Sequence, residues 1–158
     1  MTMPQTPSQS IFKRILVAVD GSENSFSAAR VAISLAKTQG AELLIVNAIY
    51  APSYWVSYSP TGMPPLYLTE FREQEEKEAN QLMAKIKGMA SAEGLNPTGE
   101  IMKDISSVVE AITTYATDRK VDLIVIGTRG LSGFKKLLIG SVSSGVVTHA
   151  HCSVLVVR

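Results

Sequence analysis

The sequence predicts an α/β fold, a parallel sheet with helices on both faces. Three observations lead there. Short apolar runs alternate with helical-period segments along the chain, and such alternation implies parallel strands joined by helical crossovers. The runs Ile15–Val19 and Leu123–Ile126 are continuously apolar, as strands covered on both faces must be. A glycine-rich loop, 127–141, stands between the second of these runs and a further helical segment. That arrangement leaves backbone N–H groups bare for an anion.

Met1–Ser10 is polar, carries two prolines, and reads as a disordered tail before one domain, 11–158. Ile11–Val19 reads as the first strand. It stops at the turn-forming and N-capping cluster Asp20-Gly-Ser-Glu-Asn-Ser25. A helix follows over about Ser25 to Gln39, with Phe26, Ala29, Ile33 and Ala36 at helical spacing and Gly40 as its stop. Ala41–Ala48 is the second strand. A linker from Ile49 to about Leu66 holds four prolines and the aromatics Tyr50, Tyr54, Trp55 and Tyr58. A loop of this length in a compact domain is functional or mobile, so it reads as a lid, a partner surface or a variable segment. A charged helix runs from about Tyr67 to Ala92. Leu68, Phe71, Ala79, Leu82, Ile86 and Met89 form its apolar stripe, and Glu73, Glu75, Glu76, Lys77 and Glu78 face water. Thr98–Met102 is a short third strand. Asp104 or Ser106 caps a helix over Ser107–Arg119, with Val108, Val109, Ile112 and Tyr115 inward. Asp122–Gly127, a helix around Gly140–Ala150 and a strand Ser153–Val157 complete the chain.

Bulk properties narrow the function classes. Lys plus Arg against Asp plus Glu is 15 − 14 = +1, which argues against bulk binding to nucleic acid or an anionic membrane. One cysteine, Cys152, excludes an intrachain disulfide framework and a multi-cysteine zinc site. The first residues lack the basic start and apolar core of a signal peptide. No apolar run reaches the roughly 18–20 residues that span a bilayer, so a cytoplasmic protein is the expectation.

In such sheets ligands sit beyond the carboxyl ends of the strands, where the winding reverses. If the sheet starts in the middle, the first and fourth strands are neighbours there, and Val17–Asp20 meets Ile126–Arg129. Gly127-x-x-Gly130, nine residues, then Gly140-Ser141 is the strongest signal. Gly127 and Gly130 allow positive φ or a ligand's close approach, and Ser141 can cap the last helix or bond a phosphate oxygen. Glycines that serve only the loop's turns are the plainer alternative. Two other phosphate loops are excluded: no Gly-Lys-Ser or Gly-Lys-Thr occurs, and the glycines lack the G-x-G-x-x-G spacing. Asp20 reads equally as a ribose or metal acceptor and as a turn former. Arg129, Lys135 and Lys136 read as phosphate partners or as solvated loop charges. His149, His151 and Cys152 fit a helix end and a strand start rather than a metal site. No catalytic triad, paired acids or nucleophile elbow stands out.

The chain resembles the universal stress protein family over nearly its whole length. The resemblance rests on Ile15-Leu-Val-Ala-Val-Asp20-Gly-Ser22, Asp122-Leu-Ile-Val-Ile-Gly-Thr-Arg-Gly130, Gly140-Ser-Val-Ser143 and His149–Arg158. It implies a five-stranded parallel sheet in order 3-2-1-4-5, a Rossmann-like adenine-nucleotide-binding fold. It also implies ATP (or ADP or AMP) with Mg²⁺ as the cofactor, and a homodimer paired through Val154–Val157. By position it assigns Ala18, Val19 and Asp20 to the adenosine side and Ala48 to the flank of the adenine, with Ile126 also a nucleotide-binding residue. Gly127, Arg129 and Gly130 would wrap ribose and phosphates, and Gly140, Ser141, Val142 and Ser143 would hold the phosphate chain. A nucleotide-dependent regulator in stress response is the function so implied. An ATP-hydrolysing or ATP-using enzyme is the alternative: the Asp20–Ser25 turn faintly resembles an ATP-pyrophosphatase loop but lacks its paired glycines. Two departures stand out. Ser153 follows Cys152 where the family often has proline, and Ala48 is smaller than its usual valine.

Overall fold

A computed structural model describes residues 10–50, 66–130 and 139–158. The tail before Ser10, the aromatic linker 51–65, Lys135 and Lys136 lie outside the described residues, as do the side chains of Tyr67 and Leu68.

The element order is β1 (Arg14–Ala18), α1 (Glu23–Gln39), β2 (Glu42–Tyr50), α2 (Leu66–Ala92), β3 (Thr98–Ile105), α3 (Val108–Asp118), β4 (Leu123–Gly127), α4 (Ser141–His149) and β5 (Ser153–Val157). The strands form one five-stranded sheet in the order β3-β2-β1-β4-β5, parallel throughout. This is the order that the resemblance implies. Strands β1 and β4 lie side by side with Ala18 opposite Ile126, so the winding reverses between them and their carboxyl ends open the crevice expected there.

Each face of the sheet carries its own core. Ile15, Val17, Leu43, Ile45 and Val125 pack with α1 and with Met83, Ile86 and Ala90 of α2. Leu16, Leu44, Val46, Ile124 and Ile126 pack with Ile112, Tyr115 and Ala116 of α3 and Val146 of α4. The runs Ile15–Ala18 and Leu123–Ile126 of the central strands are therefore apolar because both faces are covered, not because they follow a helical period.

Local chemistry sets the boundaries. β1 begins at Arg14 rather than Ile11, and the Asp122 carboxylate accepts the Lys13 and Arg14 N–H groups at 2.8 and 3.2 Å. α1 starts earlier than expected, because Ser22 is the N-cap and accepts the Ser25 N–H at 3.2 Å. β3 runs past Met102 to Ile105, since β2 itself runs on to Tyr50, which pairs with Ile105 across a bulge. That extension moves the α3 cap from Asp104 or Ser106 to Ser107. Asp104 instead takes a left-handed φ of 54° inside the bulged strand. Phe71 departs from the expected stripe and is 47% exposed. A helix of 27 residues is about 40 Å long at 1.5 Å per residue. It outreaches the sheet, and its fully buried side begins at Ala79.

Candidate functional site

At the carboxyl end of β1 the ladder runs one residue past the strand: Val19 N–H donates to the Val46 carbonyl at 2.9 Å. The chain then turns through Gly21, whose φ of 86° is left-handed. Asp20 shapes that turn, its Oδ1 accepting the Ser22 N–H at 3.0 Å. Ser25 closes it, accepting from Gly21 N–H at 3.1 Å and donating to the Ser22 carbonyl at 2.9 Å.

Opposite, β4 ends at Gly127. The expected reason for this glycine is corrected by the structure. Its φ is not left-handed, and a Cβ there would stand 2.8 Å from the Asn24 carbonyl carbon. On the side where a Cβ would project, the close approach is that of the chain's own α1. Gly130 is also outside the left-handed region, but a Cβ there would meet Asp20 Oδ2 at 2.5 Å. Its bareness leaves room for the carboxylate.

Thr128 then ties three elements together. Its N–H donates to the Val157 carbonyl of β5 at 2.7 Å, and its own carbonyl accepts the Gly140 N–H at 2.6 Å. Gly140 is the N-cap of α4 and offers no side-chain cap. Ser141 is the first helical residue, so the cap expected of it falls to its glycine neighbour. The first bond inside α4 runs from Ser144 N–H to the Gly140 carbonyl at 2.9 Å. The N–H groups of Ser141, Val142 and Ser143 therefore have no acceptor within their helix. Ser143 is 3% exposed, and its hydroxyl donates to the Gly127 carbonyl at 2.6 Å. Its hydroxyl proton anchors α4 to β4, and its backbone N–H is what it can offer a ligand.

Between these turns lies a cleft with a volume of about 200 Å³. It is lined by Ala18, Val19, Asp20, Ala48, Ile126, Gly127, Arg129, Gly130, Gly140, Ser141, Val142 and Ser143, with Ser25, Val46, Val108 and Ile112. The twelve residues that the resemblance assigns to the ligand site thus line one cavity, while Lys135 and Lys136 lie outside the described residues. Sequence reasoning missed the last four for the site. Val46 follows from the two-residue strand period that brings it beside Ala48 on one face. Val108 and Ile112 are one helical turn apart on α3, where they read as ordinary core. The cleft has two chemistries. Val46, Ala48, Val108, Ile112 and Ile126 make one end apolar, while Asp20, Arg129, Gly130 and the start of α4 make the other polar.

The histidines stand elsewhere, around the end of α4. His149 Nδ1 lies 2.8 Å from the Gly145 carbonyl, to which only an Nδ1–H can donate, and His151 Nδ1 lies 3.1 Å from Thr117 Oγ1. Among the described residues no three His, Cys, Asp or Glu side chains gather as metal ligands, and no helix is long and apolar enough to cross a membrane.

Comparison with known proteins places this geometry. The model of the universal stress protein family matches residues 11–158. A universal stress protein of Methanocaldococcus jannaschii is 36% identical over 152 residues, covering 95% of this chain and 84% of that protein. The solved universal stress protein UspA from Lactobacillus plantarum superposes with a TM-score of 0.81 at 29% identity, over 92% of this chain and 97% of its own. A universal stress protein crystallised in complex with cAMP gives a TM-score of 0.65 at 25% identity, over 93% and 97%. With its sheet order, its crevice and its matched length in agreement, the chain belongs to the universal stress protein family.

Proposed function

We propose that this chain binds an adenine nucleotide, ATP with Mg²⁺, in the cleft between β1 and β4, and that it acts as a nucleotide-dependent regulator in stress response. One observation carries the reading: a single cleft joins an apolar end to an uncapped helix N-terminus. An apolar slot with a few convergent polar groups suits a flat base. Bare N–H groups at the positive end of a helix dipole suit phosphate.

The residues fit the nucleotide group by group. Val46, Ala48 and Ile126 from the sheet face Val108 and Ile112 from α3 across the base end. Asp20, at the polar side of the cleft, would accept a ribose hydroxyl. Gly130 leaves room for the Asp20 carboxylate and Gly140 fits against the Thr128 carbonyl, and Arg129 with the α4 N–H groups would meet the phosphates. When bound, Mg²⁺ would ride on the phosphate oxygens and neutralise part of their charge. The relative crystallised with cAMP supports an adenosine phosphate as the ligand class. It also favours a second reading, in which an adenosine monophosphate is the physiological ligand.

The same reading extends to a homodimer paired through β5, which lies at the sheet edge with Leu155 37% exposed. The test of the ligand is to denature the freshly purified protein and identify what it releases. Release of an adenine nucleotide is expected. A protein that releases none, and takes up neither ATP nor AMP when these are added, overturns the proposal.

A further inference from the structure

The buried polar residues include one that the cleft does not touch. Asn47 is 8% exposed and sits in β2 between Val46 and Ala48, which line the cleft. Strand side chains alternate between faces, so Asn47 shares the opposite face with Leu43 and Ile45, in the α1 and α2 core. An apolar side chain would serve that core better, since a buried amide is costly unless it is hydrogen-bonded. Asn47 Nδ2 donates to the Val19 carbonyl at 2.8 Å. The flipped amide would set oxygen against oxygen, so the donor assignment follows from the partner.

The position of that carbonyl matters. Val19 is the last residue before the chain leaves the sheet. Its N–H is held by Val46 and its C=O by Asn47, so both ends of its peptide framework are tied to β2. Asp20 comes next, with Oδ1 on the Ser22 N–H and Oδ2 at the spot facing Gly130. The Ser22 hydroxyl in turn reaches the Arg129 carbonyl at 3.4 Å, a long contact. A shift of the Val19 carbonyl would therefore move Asp20 relative to the loop after β4, on which the polar half of the cleft depends.

We infer that Asn47 is a positioning residue of the cleft: from the far face of the sheet its amide holds the Val19 carbonyl and so sets Asp20 against Gly130. The inference rests on the nucleotide reading of the cleft, and it assigns Asn47 no contact with ligand. The test is a double-mutant cycle read by calorimetric titration of ATP with Mg²⁺, well below the melting temperature of every variant. Asn47→Leu, which removes the donor, weakens binding about tenfold, the effect of one misplaced polar contact. In an Asp20→Ala background the same change weakens binding less than about twofold, because the group through which Asn47 acts is gone. A merely structural Asn47 would show the same factor in both backgrounds. Should Asn47→Leu fail to fold, Asn47→Ala adds no volume and carries the same cycle. Equal effects in both backgrounds, or wild-type affinity in Asn47→Leu, overturn the inference and leave the nucleotide reading standing. No binding by the unmutated chain refutes both.

Discussion

The two glycines that open the loop are three residues apart, and the structure gives them different reasons to be glycine. Gly127→Ala and Gly130→Ala should therefore fail differently. Neither backbone is left-handed, so neither change is strained by φ, and each gains about 0.4–1 kcal/mol from a stiffer unfolded chain. At Gly127 the new Cβ would lie 2.8 Å from the Asn24 carbonyl carbon and 2.9 Å from its oxygen. Those are backbone atoms in the first turn of α1, and α1 packs on β1 and β4 as one core. Overpacking of that kind costs about 1–3 kcal/mol. The net loss is about 0–2.6 kcal/mol, centred near about 1.3, which corresponds to roughly 3–5 °C in Tm for a domain of this size. At Gly130 the new Cβ would lie 2.5 Å from Asp20 Oδ2, the tip of a side chain at an exposed loop. Asp20 can turn away at the loss of the bond it accepts from Ser22 N–H, about 1 kcal/mol, which the stiffer unfolded chain largely offsets, so stability should change by only about 0.5 kcal/mol. The carboxylate would leave its place in the cleft, and nucleotide affinity should fall about tenfold or more, the cost of one charge-assisted hydrogen bond. Thermal melts by circular dichroism and calorimetric titration of ATP with Mg²⁺ read the two effects separately. Equal falls in Tm for the two variants, or wild-type affinity in Gly130→Ala, would refute this division of roles.

Three further outcomes follow from the same geometry. Gly140→Asp supplies the side-chain cap that α4 lacks, worth only about a few tenths of a kcal/mol over the glycine already there. It also sets a carboxylate where phosphate is proposed to bind, so titration should show nucleotide affinity lost by at least about tenfold, and unchanged affinity would move the phosphate site elsewhere. Leu155→Lys puts a charge on the exposed side of β5, and sedimentation should then show a monomer where the unmutated chain sediments as a dimer; identical sedimentation would remove β5 from the interface. The Cys152 thiol is pushed above its ordinary 9.0 by burial first and by the Asp122 carboxylate second. The neutral thiol is thus favoured in the folded chain. Its contribution to stability is present below the ordinary value and fades as pH rises through the raised one. Iodoacetamide at pH about 8 should alkylate the native thiol more slowly than the urea-unfolded one, and equal rates would contradict that.

The strands were the most legible part of the sequence, because a strand buried on both faces has no polar positions to confuse its limits. Ile15–Val17 and Leu123–Ile126 are such runs. The cleft was legible for a similar reason. The residue types that suit phosphate, glycines and a bare helix start, are few and stand close together at 127–130 and 140–143. What could not be read were distances between elements far apart in the chain. Gly127 is a glycine because Asn24 presses on it, and no local pattern reveals a neighbour about a hundred residues away. That the Ser143 hydroxyl is spent on the Gly127 carbonyl, leaving the backbone N–H for a ligand, is likewise a contact between distant residues. Phe71 keeps helical spacing, yet it is 47% exposed. The β3 boundary was hidden because a bulge breaks the two-residue period. Asn47 carried a signal, an amide in an otherwise apolar run, but its meaning depends on where the Val19 carbonyl points.

The central claim is that the cleft between β1 and β4 takes an adenine nucleotide. The most direct measurement is isothermal titration of nucleotide-free protein with ATP and Mg²⁺. One site with a Kd near micromolar, about −8 kcal/mol, is expected, lost in Gly140→Asp. No binding at millimolar ATP, or binding that Gly140→Asp leaves intact, would contradict it.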